Sequence, residues 1–260
     1  MVCRSPIRSR YCGHHRTDRA DQPASVGAAT YRCTVAETIP LFPLAAVLLP
    51  GTSLPLHIFE PRYRQLTMDL VTNALPGRCF GVIAKKPGWS VDVDQTDEVS
   101  AVGCSAVLRE VKRLPDGRFD IVTRGDRRFR LLDIDSSSAP YLLGVVEWLP
   151  DSTPTGRLAA LMPALAAAAR AAHRRYCRAA WQNDDWAEPS TDTELADLAH
   201  VVAADCLLAE EDRQRLLEET CPARRLRMAR RLLHLETEIL GNLRAVPMQI
   251  FDLEQQASLN

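Results

Sequence analysis

Residues 54–64 read LPLHIFEPRYR and place His57, Glu60, Arg62, Tyr63 and Arg64 within eleven positions. Imidazole, carboxylate, phenol and guanidinium are the groups of general acid–base and metal chemistry. Their spacing argues for neither. His57 and Glu60 are three apart, which on a continuous strand puts them on opposite faces. H-x-x-E also lacks the second histidine of the zinc-protease pattern H-E-x-x-H, and it leads from a strand into a helix rather than along one. A carboxylate at such a junction has a structural use, because the first N–H groups of a helix are unpaired and favour negative charge. Arg62 and Arg64 then face different sides of the first turn.

The remaining chemistry-bearing groups form no engine. Only three of the 32 Lys and Arg residues are lysines: Lys85, Lys86 and Lys112. A Walker A loop needs Lys followed by Ser or Thr; these are followed by Lys86, Pro87 and Arg113, so no phosphate loop is present. The same lysines fall in strand-like or turn segments, poor places for the base of a serine nucleophile, and no G-x-S-x-G elbow occurs. No cofactor motif is found. The eight cysteines include no C-x-x-C pair, and several sit in apolar segments as small hydrophobes. That usage points to a reducing, cytoplasmic setting without a zinc ribbon or disulfide framework. Cys12, His14, His15 and Cys33 are metal-ligand types at no standard spacing; the alternative is that 1–36 is a disordered Arg-rich tail, too poor in large apolar residues to offset chain entropy. A net charge of -1 gives no global basic field for nucleic acid or an anionic membrane. Locally, PARRLRMARR (222–231) concentrates Arg224, Arg225, Arg227, Arg230 and Arg231. The run is either a phosphate grip or a solvated helix face pairing with EEDRQRLLEE (210–219), and no aromatic residues interleave to stack bases.

The elements that must position these groups divide the chain in two. The uncharged run 39–59 is about long enough to span a bilayer. Pro40, Pro43, Pro50 and Pro55 interrupt it, so short buried strands joined by turns fit better. Expected strands are 46–50, 54–59, 79–84, 103–114, 118–125, 128–134 and 141–149, with Pro115-Asp116-Gly117 as a hairpin turn. Alternation makes Leu56, Ile58 and Phe119 core. One helix starts at Pro61, with Tyr63, Leu66, Leu70, Val71 and Ala74 on its buried face and Pro76-Gly77 ending it. From 151 the pattern turns helical. Helices are expected over 158–176, starting late or kinking at Pro163; after a Thr191/Glu194 capping box, burying Leu195, Leu198, Val202 and Cys206; over 210–219; and from Pro222, burying Leu226, Ala229, Leu233 and Leu240, with Gly241 as its stop. Domain limits follow: a tail to 36, a β domain over 37–150, a helical unit over 155–247 and a tail over 248–260.

IPLFPLAAVLLPGTSLPLHIFEPRYRQLTMDLV (39–71), CFGVIA (79–84) and VGCSAVLREVKRLPDGRFDIVTRGDRRFRL (102–131) resemble the Lon N-terminal domain, also called the LON substrate-binding domain; 210–240 resembles the family's helical tail more loosely. The resemblance implies an α+β fold, a PUA-like β pseudobarrel followed by a C-terminal α-helical bundle. It also implies a non-catalytic module that engages unfolded or degron-bearing polypeptides as a substrate adaptor or holdase. A separate ATP-dependent protease is then a possible partner; nucleic acid and membrane are not expected ones. Phe59, Glu60, Arg62 and Tyr63 become the protein-binding corner, while Arg224–Arg231 would be the footprint of the alternative, an RNA-binding PUA-like protein.

Overall fold

The structure, a computed structural model, describes residues 36–86, 93, 95–181 and 186–243. All lie in one compact unit, Thr34–Asn260. The expectations for the first 35 residues, including Cys12, His14, His15 and Cys33, and for the 248–260 tail fall outside the described residues.

Among the described residues, six strands form the β part: β1 (Glu37–Leu44), β2 (Ser53–Ile58), β3 (Cys79–Ala84), β4 (Val102–Arg113), β5 (Phe119–Asp135) and β6 (Leu143–Trp148). Their order is β2-β5-β4-β3-β1-β6, and β5 also pairs with β6. That extra pairing closes five strands into a ring and leaves β2 attached outside it by one edge. Closure has a sequence basis. β1 hydrogen-bonds β6 antiparallel through Glu37–Pro40 and β3 parallel through Leu41–Leu44, so one strand bridges two neighbours. β5 is long enough, at 17 residues, to pair with β2, β4 and β6.

A bulge in β5 sets which side chains go where. Cys104 pairs with Arg128 but Ala106 with Gly125, so β5 carries one extra residue around Asp126 and Arg127. An extra residue reverses inside and outside beyond it. Before it, Phe119 and Ile121 face the core shared with the helices; after it, Phe129 and Leu131 enter the core inside the ring. The Phe129 ring lies where a Cβ on Gly81 or Gly103 would fall within 2.8 Å or 2.4 Å of it, so only glycine fits opposite this ring.

Among the described residues, five α-helices complete the unit: α1 (Pro61–Val71), α2 (Gly156–Ala180), α3 (Leu198–Ala204), α4 (Glu210–Glu218) and α5 (Pro222–Leu243). The helical face of α2, α3 and α5 and the outer sheet face share one apolar core, which includes Phe42, Phe80, Ala169, Tyr176, Leu198 and Leu226.

Several expected boundaries move. The 46–50 run is buried through Val47, Leu48 and Leu49 but is not a strand; the strand is 37–44, where backbone partners exist on both sides. The runs 118–125 and 128–134 are one strand, because the bulge lets pairing continue through Asp126. α1 ends at Val71, with Asn73 left-handed at φ 57°, so Val71 is 42% exposed and Ala74 lies beyond the helix. The Thr191/Glu194 box does not form: Arg170 holds the Pro189 and Ser190 carbonyls, the chain turns, and α3 begins only at Leu198, leaving Leu195 exposed. Gly241 lies inside α5 rather than after it. Leu56 is half-buried, whereas Ile58 and Phe119 are core. The Pro115–Gly117 turn is as expected, with Gly117 at φ 81°.

Candidate functional site

The corner where β2 runs into α1 is built from a run that switches from alternation to helical spacing. Ile58, the last residue of β2, is buried; Phe59 turns outward and is 60% exposed. Glu60 is the N-cap in extended conformation and Pro61 begins the helix, where its missing N–H costs nothing. The Glu60 carboxylate does not cap the helix as expected. It accepts a hydrogen bond from Arg62 Nε at 2.9 Å, which lays the guanidinium 4.9 Å over the Tyr63 ring. Tyr63 is 5% exposed and stacks on Phe42 at 3.9 Å between centroids. It is therefore part of the floor of the corner and not of its outer surface, a correction to its expected place among the contact residues. A groove of about 250 Å³ opens here, with Phe42, Leu44 and Tyr63 beneath and Phe59, Arg62 and Lys85 around it.

His57 borders the same groove from β2. Its Nδ1 lies 2.7 Å from Asp120 Oδ1, its cross-strand partner, and its Nε2 lies 3.2 Å from Arg118 Nη1. Both nitrogens are engaged by neighbours, and Glu60 points elsewhere, so His57 and Glu60 form no acid–base or ligand pair. A second groove of about 420 Å³ continues past His57 and Leu56 to Val111, Lys112 and Val122. The two share Leu56 and His57, giving one strip across β2 with half-buried apolar residues and a polar margin.

The Arg224–Arg231 run does not act as one surface. Arg225 is fully buried; its guanidinium grips both Asp151 oxygens at 2.8 and 2.7 Å and the carbonyls of Glu219 and Ala196. Arg128, turned this way by the bulge, donates to the same Asp151 and to the Leu217 and Glu219 carbonyls. Arg224 is held by Glu219 through two contacts, the pairing with the upstream segment that the sequence suggested. Arg227, Arg230 and Arg231 remain exposed beside His234. The role of Asp151 was hidden because 151–156 reads as a plain linker. Its partners are 23 and 74 residues away.

One constellation has the types of a thiol catalyst. On α2, Cys177 Sγ lies 3.4 Å from His173 Nε2, which lies 2.8 Å from Asp205 Oδ2. The i, i+4 spacing of His173 and Cys177 was the available signal. The geometry does not serve: both partners crowd one ring nitrogen, His173 and Cys177 are buried, and burial, with Asp205 adding to it, pushes the thiol up to about 12. Among the described residues no group of His, Cys, Asp and Glu is arranged to hold a metal ion, and no helix is long and apolar enough to cross a membrane.

The sequence profile of the ATP-dependent protease La (LON) substrate-binding domain matches residues 38–234. The chain belongs to the LON substrate-binding domain family. Its similarity extends to Lon protease from Parabacteroides distasonis, 31% identical over 121 residues, which is 46% of this chain and 14% of that protein. Lon protease from Desulfovibrio desulfuricans is 27% identical over 226 residues, 85% of this chain and 24% of that protein. The matched region is thus at most about a quarter of these relatives. A crystal structure of a Lon N-terminal domain protein from Xanthomonas campestris is similar over 74% of this chain and 95% of its own, with a TM-score of 0.52 and 28% identity. The N-terminal domain of the Mycobacterium avium complex Lon protease gives a TM-score of 0.54 at 22% identity over 76% of this chain, a likeness of fold. The α+β LON substrate-binding domain is therefore the frame in which the corner groove and the arginines sit.

Proposed function

We propose that this LON substrate-binding domain is a non-catalytic polypeptide-binding module, acting as a substrate adaptor or holdase for unfolded or degron-bearing chains. The carrying observation is Phe59, a large aromatic left 60% exposed beside an apolar-floored groove. An exposed aromatic next to a pocket is the usual anchor of a protein contact. Continuation of the groove across Leu56 and His57 suits an extended segment, which presents side chains at regular intervals. β2 pairs by one edge only, but Pro55 removes a donor from it, so side-chain contacts rather than added strand pairing dominate. We read the closed strand ring as a PUA-like pseudobarrel with the helices as its C-terminal bundle, and the setting as cytoplasmic. A separate ATP-dependent protease is the partner that an adaptor would serve.

Fluorescence anisotropy with labelled unfolded casein tests this, alongside a phosphate-release assay. Casein binding that survives moderate salt, lost on Phe59→Ser and without phosphate release, supports the module. ATP turnover by a clean preparation, or casein binding indifferent to Phe59, sinks it.

A further inference from the structure

A second surface is available on α5. Arg227, Arg230, Arg231 and His234 recur at i, i+3, i+4 and i+7, one face of a helix, and together line a shallow groove of about 250 Å³. Every group on that lining is a nitrogen donor or a donor-capable ring; no carboxylate lines it. The three guanidiniums form no ion pair among the described residues, in contrast with Arg224 and Arg225 of the same run, which Glu219 and Asp151 occupy. From α2, Arg175 Nη1 lies 3.2 Å from His234 Nδ1, bringing a fourth guanidinium to the margin. Concave, donor-only surroundings of this kind match oxyanions, and the planar forks of arginine match carboxylates two oxygens at a time.

What carries those oxyanions is set by the rest of the face. No aromatic residue interleaves with the arginines, so a nucleic acid base finds no stacking platform. Instead Leu235 and Ile239, 51% and 39% exposed, follow Arg231 at successive i+4 steps. The basic part spans about 10 Å along the helix axis. Carboxylates two residues apart on an extended chain, or four apart on a helix, fall within that length. We propose that this face of α5 is a binding site for acidic segments of a polypeptide that carry apolar residues beside their carboxylates. It is separate from the β2–α1 corner and adds charge selection to a module whose other groove reads apolar side chains.

The test uses the full chain and a short fluorescein-labelled peptide rich in Glu and Leu, compared with the same peptide carrying Gln for Glu and with a labelled oligouridylate. The Glu peptide should bind at least about tenfold tighter than the Gln peptide at low salt, and three exposed charge contacts are enough for that ratio. Joint substitution Arg227→Gln, Arg230→Gln and Arg231→Gln should abolish the difference while the melting curve stays in place. Phe59→Ser should leave it intact, which separates this site from the corner groove. Equal binding of the two peptides, an unaffected triple variant, or oligouridylate binding tighter than the Glu peptide overturns the proposal.

Discussion

Phe59 and Phe119 are both phenylalanines on the β2–β5 side of the molecule, yet their substitutions should have opposite readouts. Phe59 is mostly in solvent, so Phe59→Ser should shift the urea midpoint little, within about 0.5 kcal/mol, while weakening casein binding roughly tenfold. Phe119 is 5% exposed in the shared core, and Phe119→Ala should cost about 3–5 kcal/mol in denaturant unfolding. Charge reversal at the corner is milder. Glu60→Lys breaks a half-exposed pair with Arg62, an interaction worth about 0–1 kcal/mol, so stability should hold while casein binding falls through the reversed charge at the groove. Tyr63 behaves as core: Tyr63→Ala should unfold at lower denaturant, because it takes away the ring stacked on Phe42.

At the scale of elements, the parts written locally were legible. The β3 run, the Pro115–Gly117 hairpin, the Pro61 helix start and α4 follow from residue type and spacing alone, and the structure has them within one or two residues. What stayed hidden depends on distant partners. Nothing in 118–134 announces that the strand continues through a bulge, since the bulge is defined by where Cys104 and Ala106 pair. The Thr191/Glu194 pattern is a valid capping signal that lost to Arg170, nineteen and twenty residues away in the chain, which holds the local carbonyls in another path. The corner was recognisable as a junction, but which of its side chains faced water was not: Tyr63 and Phe59 differ by four residues and by 55% in exposure. Gly117 supplies a prediction at this scale. Its φ of 81° disfavours any Cβ, so Gly117→Val should destabilise the β4–β5 hairpin by about 1–2 kcal/mol in thermal unfolding.

For the whole molecule, Asp151 ties the strand ring to the helices. Two buried guanidiniums, Arg128 from β5 and Arg225 from α5, share its carboxylate, so Asp151→Asn should cost about 3 kcal/mol or more by leaving charge buried without compensation. His200 of α3 is buried close to the same arginines. Burial, reinforced by the Arg225 and Arg128 charges, holds it well below the usual 6.5. A group depressed in the folded state is protonated first in the unfolded chain. Stability should therefore be full above about 6.5 and fall as pH drops below it, at up to about 1.4 kcal/mol per pH unit from this residue. Urea titrations of wild type and His200→Leu across that range check it: the variant should lack this part of the acid slope.

The extra residue near Asp126 gives β5 a parity, odd positions inward on one core through Gly125 and then, at Phe129 and Leu131, inward on the other, until a second register shift at Leu132 turns Ile134 inward. Parity makes the strand tolerant of exchanges and brittle to slips in pairing. Deleting residue 126 or 127 would only remove the extra residue and keep Arg128 and Phe129 on their present faces, whereas pairing the intact strand without its bulge swaps their destinations. A guanidinium then enters the ring beside Gly81 and Gly103, and a phenyl ring takes the place at Asp151. For anyone inserting a tag, a hinge or a splice, the safe places are the hairpin tip at 115–117 and the turn at 136–140, never the middle of this strand.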